Sequence, residues 1–164
     1  MKGMAMCKLI VRAGVILCGV VVAGLSLVQC GTSPKDVRKM IKPVSVQSFD
    51  KVKEVQYPWG SIRWLMSSEL DGEAAQTFGI VQINAGQRNT LHSHPNCEEL
   101  LYVLSGSCEH VVGDKKVVLH AGDLIRVPMG VPHQATVLGN EPLRAVISYS
   151  SGVRKVVDYG PAKE

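Results

Sequence analysis

Short apolar segments separated by regular turns make up the chain from about residue 46 onward. Six segments rich in Val, Ile, Leu and Tyr fit β-strands, and several of them alternate apolar with polar residues. They cover residues 61–66, 76–84, 99–104, 116–119, 124–127 and 143–149. Turn dipeptides recur about every ten residues, which is typical of an all-β sandwich or barrel. We therefore expect an all-β domain, and a barrel of about eight strands has room for one small ligand.

The first 29 residues have a different composition. Lys2, Lys8 and Arg12 are their only charged residues, and an apolar run over residues 13–28 leads to Cys30. A run of this length is short for a membrane span and typical of a secretory signal. The residues before Cys30 resemble the cleavage box of bacterial lipoproteins, although Gln29 replaces the usual small residue. We expect an exported lipoprotein tethered to the membrane of the bacterial cell envelope. An uncleaved N-terminal helical anchor is the alternative.

These features predict four segments along the chain. They are a lipoprotein-like signal peptide at 1–29, a tether at 30–45, the β-barrel at 46–155 and a C-terminal tail at 156–164. Three of the 18 basic residues lie in the signal peptide, so the remaining chain has nearly balanced charge against 14 acidic residues. No basic stripe interleaves with aromatic residues, which argues against a nucleic-acid partner.

Four residues have side chains suited to binding a metal. His92 and His94 are two residues apart, so on a strand they point to the same face. Pro95-Asn96-Cys97 supplies a turn, after which Glu99 opens the next strand, and His133 follows a segment stiffened by two prolines. Three imidazoles and one carboxylate suit a divalent transition metal, with one or two coordination positions left for a ligand.

These residues fall into two spaced motifs. The first is Gly86, five residues, His92-x-His94, four residues, Glu99, six residues and Gly106.

The second motif is Gly122, five residues, Pro128-x-Gly130, two residues and His133. Together the two motifs resemble the conserved pair of the cupin superfamily, as in its small single-domain bacterial members. The resemblance implies a double-stranded β-helix, or jelly-roll barrel. It also implies one metal (Mn, Fe, Ni, Co, Cu or Zn) held by four ligands, which are His92, His94, Glu99 and His133.

Two adjacent carboxylates compete for the metal. The family spacing to Gly106 selects Glu99, and strand alternation then directs Glu98 outward and Leu101 and Val103 inward. Tyr102 has the outward parity. We expect Glu99 to serve also as a catalytic base, because a carboxylate can detach from a metal and accept a proton.

Cupins similar to this chain catalyse varied reactions, so the fold does not settle the function. We expect a small, largely apolar cavity and a small oxygenated organic molecule as partner, most readily an enol or phenol in a metal-dependent, dioxygenase-like reaction. A non-catalytic binding module and a sugar isomerase-like cupin are the alternatives. Arg126 and Gln134 either reach this ligand or lie on the strand surface. A homodimer through strands near 61–66 is also expected.

The remaining cysteine and histidine residues are expected to have structural roles. A hairpin turn at Ser105-Gly106 would keep Cys97 and Cys108 apart, which predicts free thiols. Cys97 is expected in a turn and facing outward, with a role as an extra ligand less favoured. His110 and His120 are expected to be hairpin residues.

Overall fold

The computed structural model describes residues 44–160 as two packed antiparallel β-sheets. This confirms the all-β, jelly-roll architecture expected from the sequence. The predicted signal peptide, Cys30 and most of the tether lie outside the described residues, as do residues 161–164. Within residues 44–160, no helix is long and apolar enough to cross a membrane.

Eleven strands and one 3-10 turn make up the described part of the chain. The 3-10 turn is Phe49–Lys51, and the strands are β1 (Glu54–Tyr57), β2 (Gly60–Met66), β3 (Thr77–Ile83), β4 (His92–Ser93), β5 (Glu99–Ser105), β6 (Ser107–Val112), β7 (Lys115–His120), β8 (Leu124–Val127), β9 (His133–Leu138), β10 (Leu143–Tyr149) and β11 (Val157–Asp158). One sheet has the order β1-β2-β3-β10-β5-β8, and the other has the order β11-β4-β9-β6-β7.

The core lies between the two sheets and follows from residue alternation. In β3, β5 and β10, every second residue is buried and its neighbours are more exposed. Ile83, Val103, Leu143 and Ala145 are almost inaccessible to solvent. Burying such aliphatic side chains stabilises the fold by about 25 cal/mol per Å² of apolar surface removed from water.

The six predicted strands all form, each within one residue of its expected ends. Five further strands were missed, namely β1, β4, β6, β9 and β11. Both β4 and β11 have only two residues, too few to show a period. The buried face of β6 presents Cys108 and His110 in place of aliphatic residues, so its alternation is hidden in the sequence.

The expected hairpin at Ser105-Gly106 was wrong. Strand β5 pairs with β8 and β10, whereas β6 pairs with β7 and β9, so the chain changes sheets at this turn. Gly106 makes the change possible because its φ of +78° lies in the left-handed region. An added Cβ would also come within 2.6 Å of the Pro142 carbonyl oxygen.

The structure changes two further expectations about the edges of the barrel. Strand β2, expected as a dimer edge at 61–66, is covered on both sides by β1 and β3. The expected tail contains β11, which pairs with β4 through Val157 and Asp158.

We predict that Gly106→Ala destabilises the protein more than Gly139→Ala. Both glycines have nearly the same φ, +78° and +77°, but a Cβ at Gly139 would meet nothing within 4 Å. The backbone strain, about 1–2 kcal/mol, is shared by both variants. The clash with Pro142 should add about 1–3 kcal/mol to Gly106→Ala alone. Equal free energies of unfolding in urea titrations would contradict the close approach.

Candidate metal centre

Three strands and the segment after β4 bring the predicted ligands together in the space between the sheets. His92 in β4 lies directly opposite His133 in β9 of the five-stranded sheet. Glu99 opens β5 of the six-stranded sheet, and His94 follows β4 immediately. The site therefore depends on the packing of one sheet against the other.

The four side chains form one compact cluster. One potential ligand atom from each of His92, His94, Glu99 and His133 lies within 4.8 Å of the others. The Oε2 atom of Glu99 is 3.1 Å from the Nε2 atoms of both His94 and His133. Those three side chains are buried, whereas His92 is half-buried, and His92, Glu99 and His133 all line one cavity. Access to the cluster is thus through this cavity.

Backbone carbonyl groups fix the orientation of all three imidazoles. In each ring, Nδ1 lies within hydrogen-bond distance of a carbonyl oxygen and can donate to it. The three bonds run from His92 to Thr90 (2.8 Å), from His94 to Lys155 (2.9 Å) and from His133 to Val131 (2.9 Å). With the Nδ1 proton used in this way, a neutral ring presents the Nε2 lone pair, and this is how metal-binding histidines are commonly oriented.

This donor set fits a divalent transition metal. In that tautomer, two Nε2 lone pairs face the same carboxylate oxygen at 3.1 Å, so all three groups are acceptors. A positive charge between them, either protons or a metal ion, is required to offset their repulsion. Nitrogen and oxygen ligands of this kind suit first-row metals, and four protein ligands leave positions open in a five- or six-coordinate ion.

The electrostatics of the cluster also favour positive charge beside Glu99. Burial alone would raise the pKa of Glu99, but hydrogen bonds from His133 and His94 outweigh it and hold that pKa well below its ordinary value. Burial likewise opposes protonation of His133, yet the hydrogen bond and charge of Glu99 raise its pKa. Burial, followed by the proximity of His133, lowers the pKa of His92 to about 4. Glu99 is therefore ionised, and His92 is neutral, at neutral pH.

A cavity of about 200 Å³ adjoins the cluster. This volume is smaller than the usual 300–1,000 Å³ of drug-sized ligand sites. A small cavity was expected from the aliphatic residues that point inward. Its walls combine aliphatic and polar side chains. The aliphatic residues are Ile62, Val81, Ile83, Leu101, Ala135, Ile147 and Val156, and the lining also contains Asn89, Thr90, His110, Tyr149, Arg154 and Asp158.

Tyr149 is a site residue that the sequence did not reveal. It lies directly opposite Glu99 in the β5–β10 pair, and its buried phenol is close to the Glu99 carboxylate. Its ring packs edge-on against His94, with centroids 4.8 Å apart. Burial raises the pKa of Tyr149 well above its ordinary value, so the phenol remains a neutral donor. Cross-strand pairing is not readable from one sequence, which explains the omission.

His110 is a second missed residue: it lies in the β6–β7 hairpin, as expected, but its side chain faces the cavity. Its side chain is 1% exposed, lines the cavity and lies parallel to the His133 ring, with centroids 6.0 Å apart. Burial lowers its pKa to about 4. Among the described residues, His110 Nδ1 is the only buried side-chain nitrogen or oxygen without a hydrogen-bond partner. Recognising the change of sheet at Gly106 would have indicated the inward parity of this residue.

The other candidates have structural roles. Glu98 points away from the cluster and forms an ion pair of 2.6 Å with Arg126, which lies on the strand surface. Gln134 is buried and donates to the Asn89 carbonyl oxygen at 2.6 Å. Tyr102 is exposed, as its parity predicted.

Both described cysteines are free, which confirms the expectation of free thiols. The reason given for it, the hairpin, does not hold. Cys97 is buried in the core and does not face outward as expected, and it is not part of the metal-binding group. Cys108 is also buried, and burial raises its pKa to about 11. His120 is exposed at a turn, as expected.

Comparison with known proteins agrees with the fold and the motifs. Residues 79–149 match the cupin domain family. The uncharacterized protein MJ1618 of Methanocaldococcus jannaschii is 30% identical over 97 residues, covering 58% of this chain and 78% of MJ1618. The tetracenomycin polyketide synthase protein TcmJ of Streptomyces glaucescens is 30% identical over 91 residues, covering 56% of this chain and 61% of TcmJ. The chain belongs to the cupin superfamily.

A solved structure shows the same fold. The formate complex of Lactobacillus farciminis oxalate decarboxylase superposes with a TM-score of 0.63 at 22% identity. The match covers 67% of this chain and 34% of the decarboxylase, so the chain spans about a third of that enzyme.

We predict that Glu99→Gln weakens metal binding and Glu98→Gln does not. An amide is a poorer ligand than a carboxylate, and the loss should exceed the roughly 10–100-fold typical of residues that only support ligands. Glu98→Gln removes an exposed ion pair, worth at most about 1 kcal/mol. Metal titration of the two variants side by side measures the difference. Loss of metal from Glu98→Gln alone would show that the register of β5 is wrong.

Proposed function

We propose that His92, His94, Glu99 and His133 bind one divalent transition metal and that this centre acts on a small oxygenated organic molecule. One observation carries the proposal. Three imidazoles whose Nδ1 atoms are all engaged by backbone carbonyls direct their remaining nitrogens into a group of four ligand atoms that includes a buried carboxylate. This arrangement is suited to a cation and has no other evident use.

We infer further that the reaction is of the oxygenase type, on a small enol or phenol. A metal bound here would supply Lewis-acid activation of the chelating oxygens and, if redox-active, electron transfer to dioxygen. The cavity gives direct access to the cluster through His92, Glu99 and His133. The relatives associate the fold with small oxygen-rich molecules, since one is named as a polyketide synthase protein and another holds formate.

The chain's own residues would have distinct roles. Glu99 is kept ionised, so it is the group able to accept the proton of a substrate hydroxyl. Tyr149 lies opposite Glu99 and, as a neutral phenol, is placed to donate a hydrogen bond to its carboxylate. The aliphatic wall, which includes Ile62, Leu101 and Ile147, limits the water that can enter with the substrate.

The alternatives receive less support. A module that only captures metal has no need of additional polar groups, yet His110, Tyr149 and Arg154 all line the cavity. A sugar isomerase must hold a polyol that carries hydroxyls all round, whereas this cavity of about 200 Å³ is small and seven of its lining residues are aliphatic. An enzyme acting on a small, partly apolar molecule therefore agrees best with the site.

We predict that the purified protein holds about one transition metal per chain, and that His94→Ala or His133→Ala removes most of it. Loss of one ligand leaves an incomplete coordination shell around a buried carboxylate. Elemental analysis measures the metal. A panel of small enols and phenols, assayed with and without oxygen, then tests the reaction, with Glu98→Gln as an active control. Full metal retention by both histidine variants would rule out the centre, whereas oxygen-independent turnover would exclude the oxygenase.

We also propose that the protein is exported and tethered to the cell-envelope membrane through lipid on Cys30. The support is the sequence alone: three basic residues, the apolar run at 13–28 and the cysteine that follows. An uncleaved N-terminal anchor is the alternative.

If this is right, the full-length protein should partition with membranes and Cys30→Ser should change the mass of the processed protein, because the addition of acyl chains and the removal of residues 1–29 both require that thiol. Intact-mass spectrometry of the wild type and of Cys30→Ser measures both effects. Cys18→Ser is a matched control and should be processed normally. A mature N-terminus at another residue would exclude lipidation.

A further inference from the structure

Arg154 follows β10 and places a positive charge at the wall of the metal-centre cavity. Its guanidinium Cζ lies 4.7 Å from the ring centroid of Trp64 and 5.2 Å from that of Tyr149. All three residues line the cavity, and Arg154 is half-buried. Its charge is close enough to the Tyr149 hydroxyl to oppose the rise in that phenol's pKa. The cation is therefore part of the surroundings of the candidate centre.

Within residues 44–160, Arg154 takes part in no hydrogen bond or ion pair. Three other cations in the same part of the chain are paired with carboxylates, namely Arg63 with Glu54, Lys116 with Glu109, and Arg126 with Glu98. The guanidinium of Arg154 instead lies over the aromatic rings of Trp64 and Tyr149. Stacking of this kind holds the group in place and leaves the N–H donors at its edge available for a carboxylate or a similar anion.

The charge balance of the cavity also favours an anion. Glu99 and Asp158 are the carboxylates in its lining, and an Asp158 oxygen accepts a hydrogen bond from the Gly160 amide. The charge of a divalent metal together with that of Arg154 exceeds that of the two carboxylates by one unit. A ligand carrying one negative charge would neutralise the difference in a partly desolvated site, where electrostatic interactions are strong.

We propose that the cavity selects a small organic monoanion, with its chelating oxygens at the metal and its carboxylate, or an equivalent anionic group, at Arg154. This inference rests on the proposed metal centre and narrows its substrate class. The volume of about 200 Å³ excludes large ligands, and the aliphatic wall favours an organic anion over an inorganic one. Arg154 is thus a specificity-determining residue outside the four ligands.

Two probes that differ only in a carboxylate test this assignment. Catechol chelates metals through two adjacent oxygens, and 3,4-dihydroxybenzoate adds a carboxylate to the same ring. Their binding to the full, metal-loaded chain is measured anaerobically by calorimetry for wild type, Arg154→Gln and Arg144→Gln. Arg144 is exposed in β10 and does not line the cavity. Arg144→Gln therefore makes the same change in net charge as Arg154→Gln at a site away from the ligand. The metal content of each sample is determined in parallel.

The wild type should bind 3,4-dihydroxybenzoate at least about tenfold more tightly than catechol, as expected for one charge-assisted interaction. Arg154→Gln should reduce this ratio to about one through weaker binding of the carboxylate probe alone, whereas Arg144→Gln should keep the ratio. An unchanged ratio in Arg154→Gln, equal losses for both probes, or no binding of either probe to the loaded wild type would overturn the assignment. A chain without metal would instead refute the proposed centre itself.

Discussion

The contact between the Glu99 carboxylate and the Nε2 atoms of His94 and His133 governs the organisation of this protein. It connects the six-stranded sheet, which supplies Glu99, with the histidines of the opposite sheet. A carboxylate so deeply buried is costly unless positive charge lies beside it. Packing of the two sheets and assembly of the cation site therefore depend on each other. This coupling explains why the ligands lie where the two sheets meet and not at a loop tip.

Backbone groups, and not side chains, complete this arrangement. The carbonyl oxygens of Thr90, Lys155 and Val131 each engage one imidazole, and these residues come from three separate segments. The Gly130 amide also donates to the His94 carbonyl oxygen at 2.8 Å, which connects the proline-rich segment before β9 to the ligand segment after β4. Such contacts fix the ring orientations in advance, so little reorganisation accompanies binding. These hydrogen bonds would survive many substitutions at the residues that supply them, because the carbonyl groups belong to the main chain.

The sequence predicted the fold, six strands and the group of four candidate ligands, because these depend on local periods and fixed spacings. The inward parity of Glu99, Leu101 and Val103 is of the same kind and is confirmed by their burial. The site residues that the sequence did not predict owe their positions to strand pairing, which links residues far apart in the chain. Tyr149 is 50 residues from Glu99 in the chain and yet lies directly opposite it.

The inward orientation of His110 was missed for a related reason. The turn at Ser105-Gly106 looks like a hairpin, but the chain crosses between sheets there, which changes the environment of every residue in β6. The residue types of a turn show that the chain changes direction there. They do not show which sheet the next strand joins. The arginine at the cavity wall is equally non-local, since its position depends on Trp64 in β2 and Tyr149 in β10.

The short pairing of β11 with β4 couples a distant segment of the chain to the candidate metal centre. Strand β4 has only two residues, and residues 157–159 support it through Val157, Asp158 and a contact of 3.0 Å between the hydroxyls of Ser93 and Tyr159. The Lys155 carbonyl oxygen, which holds His94, belongs to the same segment. Thermodynamic linkage then requires that an ion favouring the ordered ligands also favours the ordered C-terminal segment, and by the same free energy. Proteolytic cleavage within residues 155–159 would thus report whether the proposed centre is filled.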